Sequence, residues 1–187
     1  MVDPRVPGTT STVVHSLPAT VVSYSDGEGR DAGVGISLYV PGHRPRAAFL
    51  KVPTAVRALW KMQRGRTAKK DIFEIEGIGP LAVMCQWPDL IRGRPWIHFI
   101  DHQGAQMVLI RGSGNSANGD VISGLTWRKV SKLEAWLWVE RVASSSNPID
   151  GVSRGNFEGP WACVEDAFLL RELIQELRKE AHREGLF

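Results

Sequence analysis

Cysteine is nearly absent: Cys85 and Cys163 are the only two in 187 residues. Two thiols are too few for a disulfide framework or a cysteine-rich zinc site, and they read as lone buried thiols in a reducing compartment. Long apolar runs are also missing. The longest stretches are a few residues, against the ~20 needed to cross a bilayer. The expectation is therefore an intracellular protein, in cytoplasm or nucleus, with no membrane partner. The first residues, MVDPRVPGTTSTVVHSLP, have no continuous apolar core and are interrupted by Pro4, Pro7, Gly8 and Pro18, so they do not read as a signal peptide. Residues 1–19 read instead as a flexible lead-in, or a scar left where a longer polyprotein was cut. No internal repeat is found. Hydrophobic residues make up 43% and charged residues 23%, which excludes a disordered chain, a collagen-like repeat and a coiled coil. At about 150 residues per domain the length is that of one domain with some extra. A chain of this size buries roughly 70% of its unfolded surface, so it needs neither disulfide nor metal to hold a core.

Acid is absent from one long segment. Between Pro41 and Lys70 stand nine basic residues (Arg44, Arg46, Lys51, Arg57, Lys61, Arg64, Arg66, Lys69 and Lys70) and no Asp or Glu. The net charge is only +3, and the rest of the chain is net negative. One basic segment on an otherwise acidic protein points to a polyanion; the plainer alternative is a solvated face.

What is present reads as alternating elements. Residues 20–25 (TVVSYS), 34–40 (VGISLYV) and 46–52 (RAAFLKV) are β-branched or apolar runs separated by turn chemistry, hence an antiparallel meander. Pro53 stops the third strand, Thr54 is a plausible N-cap, and residues 55–64 read as a helix closed by Gly65. A second helical stretch spans 72–87, its first turns irregular because of Gly77, Gly79 and Pro80. Residues 96–100 (WIHFI) form a strand, 103–110 a helix and 111–119 a loop. Asp120 caps a helix to about residue 135. Residues 136–142 (WLWVERV) alternate as a strand. A last amphipathic helix begins at Val164, with Phe168, Leu169, Leu173, Ile174 and Leu177 as its stripe. The order β-β-β-α-β-α-α-β-α gives an α/β fold, a mixed sheet flanked by helices.

Four carboxylates fall at telling places. Asp26 follows the first strand (SYSDGEG), Glu76 lies near the start of the long helix (EIEGIGPLAVM), Asp101 ends the fourth strand (WIHFID), and Asp150 follows the fifth (WVERVASSSNPID). Strand carboxyl ends in such sheets open into a shared crevice. Clustered carboxylates raise one another's pKa, and a fold tolerates them only with neutralising cations. Oxygen-only ligands suit Mg²⁺ or Mn²⁺, and a pair of ions suits phosphoryl transfer. His43, His98 and His102 are scattered and form no zinc set. Gly112-Ser113-Gly114 follows a helix rather than a strand, so it is no nucleophile elbow.

Three stretches carry a resemblance to a known family. IFEIEGIGPLAVMCQWPDLIRGR (residues 72–94) is similar to a helix with a metal-binding Glu, a Trp and a closing L-x-G-R. IHFIDHQGAQMVLIRGSG (97–114) is similar to DN-x-A-A…L-x-K-G-x-S. WVERVASSSNPIDGVSRG (138–155) is similar to V-P-S-x-x-N-P-A-D-x-x-S-R-G, the most specific of the three. Together, over roughly residues 24–154, the chain resembles the ribonuclease H domain of retroelement reverse transcriptases of the DIRS-like, tyrosine-recombinase type.

The resemblance implies a ribonuclease H-like mixed five-stranded sheet over residues 20–155, with residues 156–187 as a C-terminal amphipathic helical extension. It implies a hydrolase that cuts the RNA strand of RNA–DNA hybrids with two Mg²⁺ (or Mn²⁺) ions, the polymerase part of a retroelement polyprotein being a further candidate partner. The metal-binding and catalytic carboxylates become Asp26, Glu76, Asp101 and Asp150, with Glu74 competing with Glu76. Asp26 would bridge both ions, Asp150 would help hold the ion that activates water, and Glu76 and Asp101 the ion on the leaving oxygen. Arg57, Arg64, Arg66, Lys69 and Lys70 would lie along the hybrid backbone, where each contact adds salt-dependent affinity. Trp60 beside them would stack on substrate or pack in the core. The alternative is a decayed or tethering module that keeps the fold and binds nucleic acid without cutting, favoured by the glycines and proline in the Glu76 helix and by the absence of polymerase motifs in this chain. A transposase or integrase core shares the fold but places its last carboxylate on a late helix, whereas Asp150 sits in an N-P-I-D turn.

Overall fold

A computed structural model of the chain describes residues 18–64, 71–114, 116–162, 164–166 and 171–183. The strands are β1 (Val21–Glu28), β2 (Gly33–Tyr39), β3 (Arg46–Lys51), β4 (Pro95–Ile100), β5 (Trp136–Arg141) and β6 (Val164–Asp166). The helices are α1 (Thr54–Arg64), α2 (Ile72–Gly77), α3 (Gly79–Gln86), α4 (Pro88–Ile91), α5 (Gln103–Arg111), α6 (Ala117–Lys132), α7 (Asp150–Ser153) and α8 (Arg171–Arg183). The strands form one sheet in the order β5-β4-β1-β2-β3-β6.

β1, β2 and β3 are the antiparallel meander, and β4 returns to lie parallel to β1, with β5 parallel to β4. The crossover from β3 through α1, α2, α3 and α4 returns the chain to lay β4 beside β1. The five-stranded mixed sheet flanked by helices is thus the architecture expected from the sequence. β6 adds a short sixth strand, parallel to β3. It occupies the position where the sequence suggested the start of the last helix, which instead begins at Arg171.

One face of the sheet carries the main core. Val21, Val34, Ile36, Leu38, Ala48, Leu50 and Trp96 meet α1, α3, α6 and α8 through Val56, Trp60, Leu81, Met84, Ile122, Leu173 and Leu177. Trp60 is fully buried there, so packing is its role. Leu173 and Leu177, four apart on α8, face inward together. The other face carries a smaller cluster of Ala47, Ile149, Val152 and Trp161 with Tyr24, Tyr39 and Phe49.

Several boundaries differ from the sequence reading. β1 runs through Asp26, Gly27 and Glu28, because Asp26 and Gly27 pair with Gly35 and Val34 across the hairpin; the turn begins only after Glu28. α6 is capped by Ser116, whose hydroxyl accepts from Gly119 N–H, while Asp120 sits in the first turn and accepts from Gly114 N–H at 2.7 Å. The long helix is two helices broken at Ile78. Pro80 has no N–H to give the Glu76 carbonyl, so the helical ladder cannot run through. Gly79 at that break lies against β1: a Cβ there would stand 2.1 Å from Ser25 Oγ. α4 and α7, four residues each, were not read from sequence.

Candidate metal centre

The last paired residues of β1 and β4 are Tyr24 and Phe99, and two positions farther along each strand stand Asp26 and Asp101. Parallel neighbours in register share a face, so the two carboxyls emerge side by side at the strand ends. The third comes from α2, whose last turn brings Glu76 onto the same strand end, where Gly27 N–H donates to its carboxyl. Carboxylate oxygens of Asp26, Glu76 and Asp101 lie within 4.8 Å of one another.

Residues around α7 hold this cluster. The Ser153 hydroxyl hydrogen-bonds to Asp26 Oδ2, and its oxygen also lies 2.8 Å from the Asp150 carbonyl. Asn147 Nδ2 donates to the Ser25 carbonyl at 2.9 Å and reaches Asp26 Oδ1 at 3.5 Å. Ser144 Oγ donates to Asp101 Oδ2 at 2.5 Å. α7 can come this close because β2 presents Gly35 opposite Asp26: a Cβ there would stand 2.7 Å from Ser153 N. The Asp150 carboxylate itself lies outside the convergent triad. It accepts from the Arg154 guanidinium at 2.6 Å, four residues on, near enough to Asp26 to disfavour its charge.

The electrostatics are those of acids gathered in a partly buried place. Burial, with repulsion from Asp101 and Asp150, raises Asp26 to about 6 against the pull of the Ser153 hydroxyl. Burial and the negative charges of Asp101 and Asp26 raise Glu76 to about 9. At neutral pH Glu76 thus keeps a proton, which it shares with Asp101 through a hydrogen bond. Its Oε2 is buried with no hydrogen-bond partner. Three hard oxygen donors, two of them buried, one with an unmet oxygen, fit a Mg²⁺-like ion, whose charge would favour full ionisation of the cluster.

Behind the cluster the sheet is polar but sealed. Trp96 Nε1–H donates to Ser23 Oγ at 2.7 Å, Ser23 Oγ lies 2.7 Å from His98 Nδ1, and Ser25 Oγ lies 3.0 Å from His98 Nε2. Burial depresses His98 to about 3, so the imidazole is neutral and structural. His102 caps α5, its ring accepting from Ala105 N–H.

Of the other residues read from the sequence, Glu74 points away from the cluster into the helical layer, where Asn118 Nδ2 donates to it at 2.8 Å and also to the Trp60 carbonyl at 3.1 Å. Arg57 is ion-paired with buried Asp71 at 2.8 Å, so part of its charge is already answered by the first acid after the basic run. The Arg64 side chain, Arg66, Lys69 and Lys70 lie outside the described residues. Two grooves share Glu28, Gly29 and Arg30, just past Asp26 along β1. One, of about 480 Å³, is lined by Arg30, Arg57, Lys61 and Asp71 among others. The other, of about 630 Å³, is lined by Arg30, Lys51, Ser153 and Arg154 beside Gly27. Arg30, Asn147, Ser153 and Arg154 were not singled out from sequence as site residues, although Asn147, Ser153 and Arg154 all lie in the N-P-x-D-x-x-S-R motif.

No family model matches the sequence, and no curated protein matches it. Among solved structures the chain is similar to ribonuclease H1 from the halophilic archaeon Halobacterium salinarum NRC-1. The likeness has a TM-score of 0.54 at 14% identity, over 74% of this chain and 97% of that one. At this identity it is a likeness of fold, and the fold is ribonuclease H-like.

Proposed function

We propose that this chain is a metal-dependent endonuclease that hydrolyses the RNA strand of RNA–DNA hybrids, and that it derives from a retroelement reverse transcriptase. The observation that carries the reading is the meeting of Asp26, Glu76 and Asp101 at the carboxyl ends of adjacent parallel strands in a ribonuclease H-like sheet. Asp26, Glu76 and Asp101 would hold divalent ions, two in number, with Asp150 completing the set from the rim. Bound, such ions polarise the scissile phosphate and activate a water for attack.

The chain's own residues prepare that site. Ser153 and Asn147 orient Asp26, and Ser144 orients Asp101, so the carboxylates need little rearrangement to accept a cation. Arg154 restrains Asp150 and must yield it if that carboxylate is to ligate. Arg30, Lys51 and Lys61 line the two grooves and would meet phosphates, as would the basic residues Arg64, Arg66, Lys69 and Lys70 of the sequence. The 2′-hydroxyl beside the scissile phosphate is the feature that separates RNA from DNA at such a site.

The retroelement origin rests on the three sequence stretches, and the geometry gives the third a physical reason: Asn147 and Ser153 touch Asp26, and Arg154 touches Asp150. The non-cutting alternative drew on Gly77, Gly79 and Pro80, but the helix breaks only after Glu76, which stays in the cluster. A polymerase partner in the same polyprotein and an intracellular site of action belong to the same proposal; among the described residues no helix is long and apolar enough to cross a membrane. The test is cleavage of a labelled RNA–DNA hybrid with Mg²⁺ or Mn²⁺, compared with D26N.

A further inference from the structure

The second face of the sheet is covered over only part of its width. Along β2 and β3 it lies beneath Ile149, Val152 and Trp161. Across β4 and β5 the same face carries half-buried Ile97 and Phe99, and then Trp136 and Trp138, which are 55% and 65% exposed. α5 packs on the opposite face, through Val139 and Leu137. Both tryptophans are thus largely open to solvent, and Trp138 Nε1–H donates to Glu140 Oε2 at 3.3 Å.

β5 is also an edge: its one strand neighbour among the described residues is β4. Trp136 N–H bonds the Arg94 carbonyl at 3.0 Å, and Val142 N–H bonds the Ile100 carbonyl at 3.1 Å. In a parallel ladder every second residue turns both its N–H and its C=O to the neighbour. The even-numbered residues therefore face β4, and Leu137 and Val139 direct their N–H and C=O groups to the open edge; Arg141 N–H, on the same edge, already donates to Glu140 Oε1 at 2.9 Å and must exchange that bond for one to a pairing strand. Such edges are normally blunted by charged side chains, Pro or a bulge; WLWVER has no Pro, and its charges, Glu140 and Arg141, are confined to its last two residues.

We propose that β5 pairs antiparallel with β5 of a second copy of this chain, about a two-fold axis through Trp138, joining two sheets into one. A two-fold axis normal to the sheet keeps each face on its own side, so even residues oppose even ones. With Trp138 on the axis, Trp138 opposes the partner's Trp138, Trp136 the partner's Glu140, Leu137 the partner's Val139, and Arg141 the partner's Ala135. The neighbouring registers are worse. Centring on Val139 sets Trp138 against Glu140 and Leu137 against Arg141. Centring on Leu137 sets Glu140 against Glu134, and centring on Glu140 sets that residue against itself. Only the Trp138 register matches aromatic with aromatic and aliphatic with aliphatic without opposing like charges. It also makes Leu137–Val139 the hydrogen-bonded pairs and Trp138–Trp138 the non-bonded pair, where side chains come closest. Glu140 on the tryptophan face opposes a phosphate-bearing strand there. Because the partner strand runs backwards, the two carboxylate clusters sit at opposite ends of the joined sheet, each open to solvent.

The test is sedimentation of the full chain from about 1 µM to about 200 µM, a range suited to the weak association expected of a small interface. The expected result is a shift from monomer to dimer that W138E abolishes while the far-ultraviolet circular dichroism stays unchanged. Mild oxidation of W138C gives a covalent dimer above the wild-type background from Cys85 and Cys163, and W136C does not. A wild-type chain that stays monomeric overturns the proposal. So does a folded W138E that still dimerises, or cross-linking of W136C as efficient as that of W138C.

Discussion

Asp26 and Asp101 are lateral neighbours, each two residues past the last position at which β1 and β4 pair with each other, Tyr24 and Phe99. The sheet thus sets two carboxylates side by side before any helix contributes. Glu76 then adds a third from α2, and the cost of gathering them shows as the raised proton affinities of Asp26 and Glu76.

That cost gives a pH dependence with a definite sign. Asp26 rises from 3.8 to about 6 and Glu76 from 4.5 to about 9 on folding. Both folded values lie above the unfolded ones, so in this interval the folded state holds more protons than the unfolded state. Stability is then full below about pH 4 for these two groups and is lost as pH rises through 6 and on to 9. Thermal melts in chelator should show the melting temperature of the wild type falling, relative to E76Q, between pH 6 and pH 9. A wild type that gains on E76Q over that range contradicts the account.

Mg²⁺ or Mn²⁺ should reverse the loss, because a bound cation replaces the protons. At neutral pH either ion is expected to raise the melting temperature of the wild type and of E74Q, and to leave E76Q nearly unmoved. An equal rise in E76Q would place the ion elsewhere.

Ser153 is a positioning residue in this account. S153A removes the hydroxyl that holds Asp26 and should weaken Mg²⁺ binding about tenfold, as loss of a ligand's hydrogen-bond support does. Calorimetric titration of Mg²⁺ reads this directly, and S153T should recover part of it. Wild-type affinity in S153A would remove Ser153 from the site.

The sequence shows this much because strand ends and turns are written locally. The meander, β4, and Asp26 and Asp101 at the strand ends follow from β-branched runs closed by turn residues. The end of β1 was misplaced because Asp26-Gly27 is turn chemistry in isolation, and pairing with Gly35 and Val34 overrides it. The register from Ile72 to Trp87 favours Glu76 over Glu74 but leaves Glu74 in competition, since the distinction depends on where α2 stops and what Asn118, forty-four residues away, contacts. α7 escaped notice because four residues carry no periodicity, and Ser153 gains meaning only through Asp26, far away in sequence. Asp150 was expected among the ligands; its carboxylate pairs with Arg154, four residues on, and stands beside the triad of Asp26, Glu76 and Asp101 rather than in it.

The break between α2 and α3 should tolerate no side chain. In G79A the new Cβ would stand 2.1 Å from Ser25 Oγ and 2.4 Å from Ser25 Cβ. α3 must move off β1, at a cost of about 1–3 kcal/mol as for other overpacked sites. Urea denaturation should show that loss, whereas G124A, where the added Cβ meets open space, should be neutral or stabilising. Equal stability of G79A and wild type would mean that the contact between α3 and β1 is looser than described.

The most direct test of the central claim is a cleavage assay on an RNA–DNA hybrid labelled on each strand, run with Mg²⁺, with Mn²⁺ and with chelator. The wild type should cut the RNA strand with either ion, leave the DNA strand whole and do nothing in chelator. D26N, with an unchanged circular dichroism spectrum, should not cut under any of these conditions. Cleavage by D26N equal to wild type, or a folded wild type that binds the hybrid but never cuts it, would contradict the account.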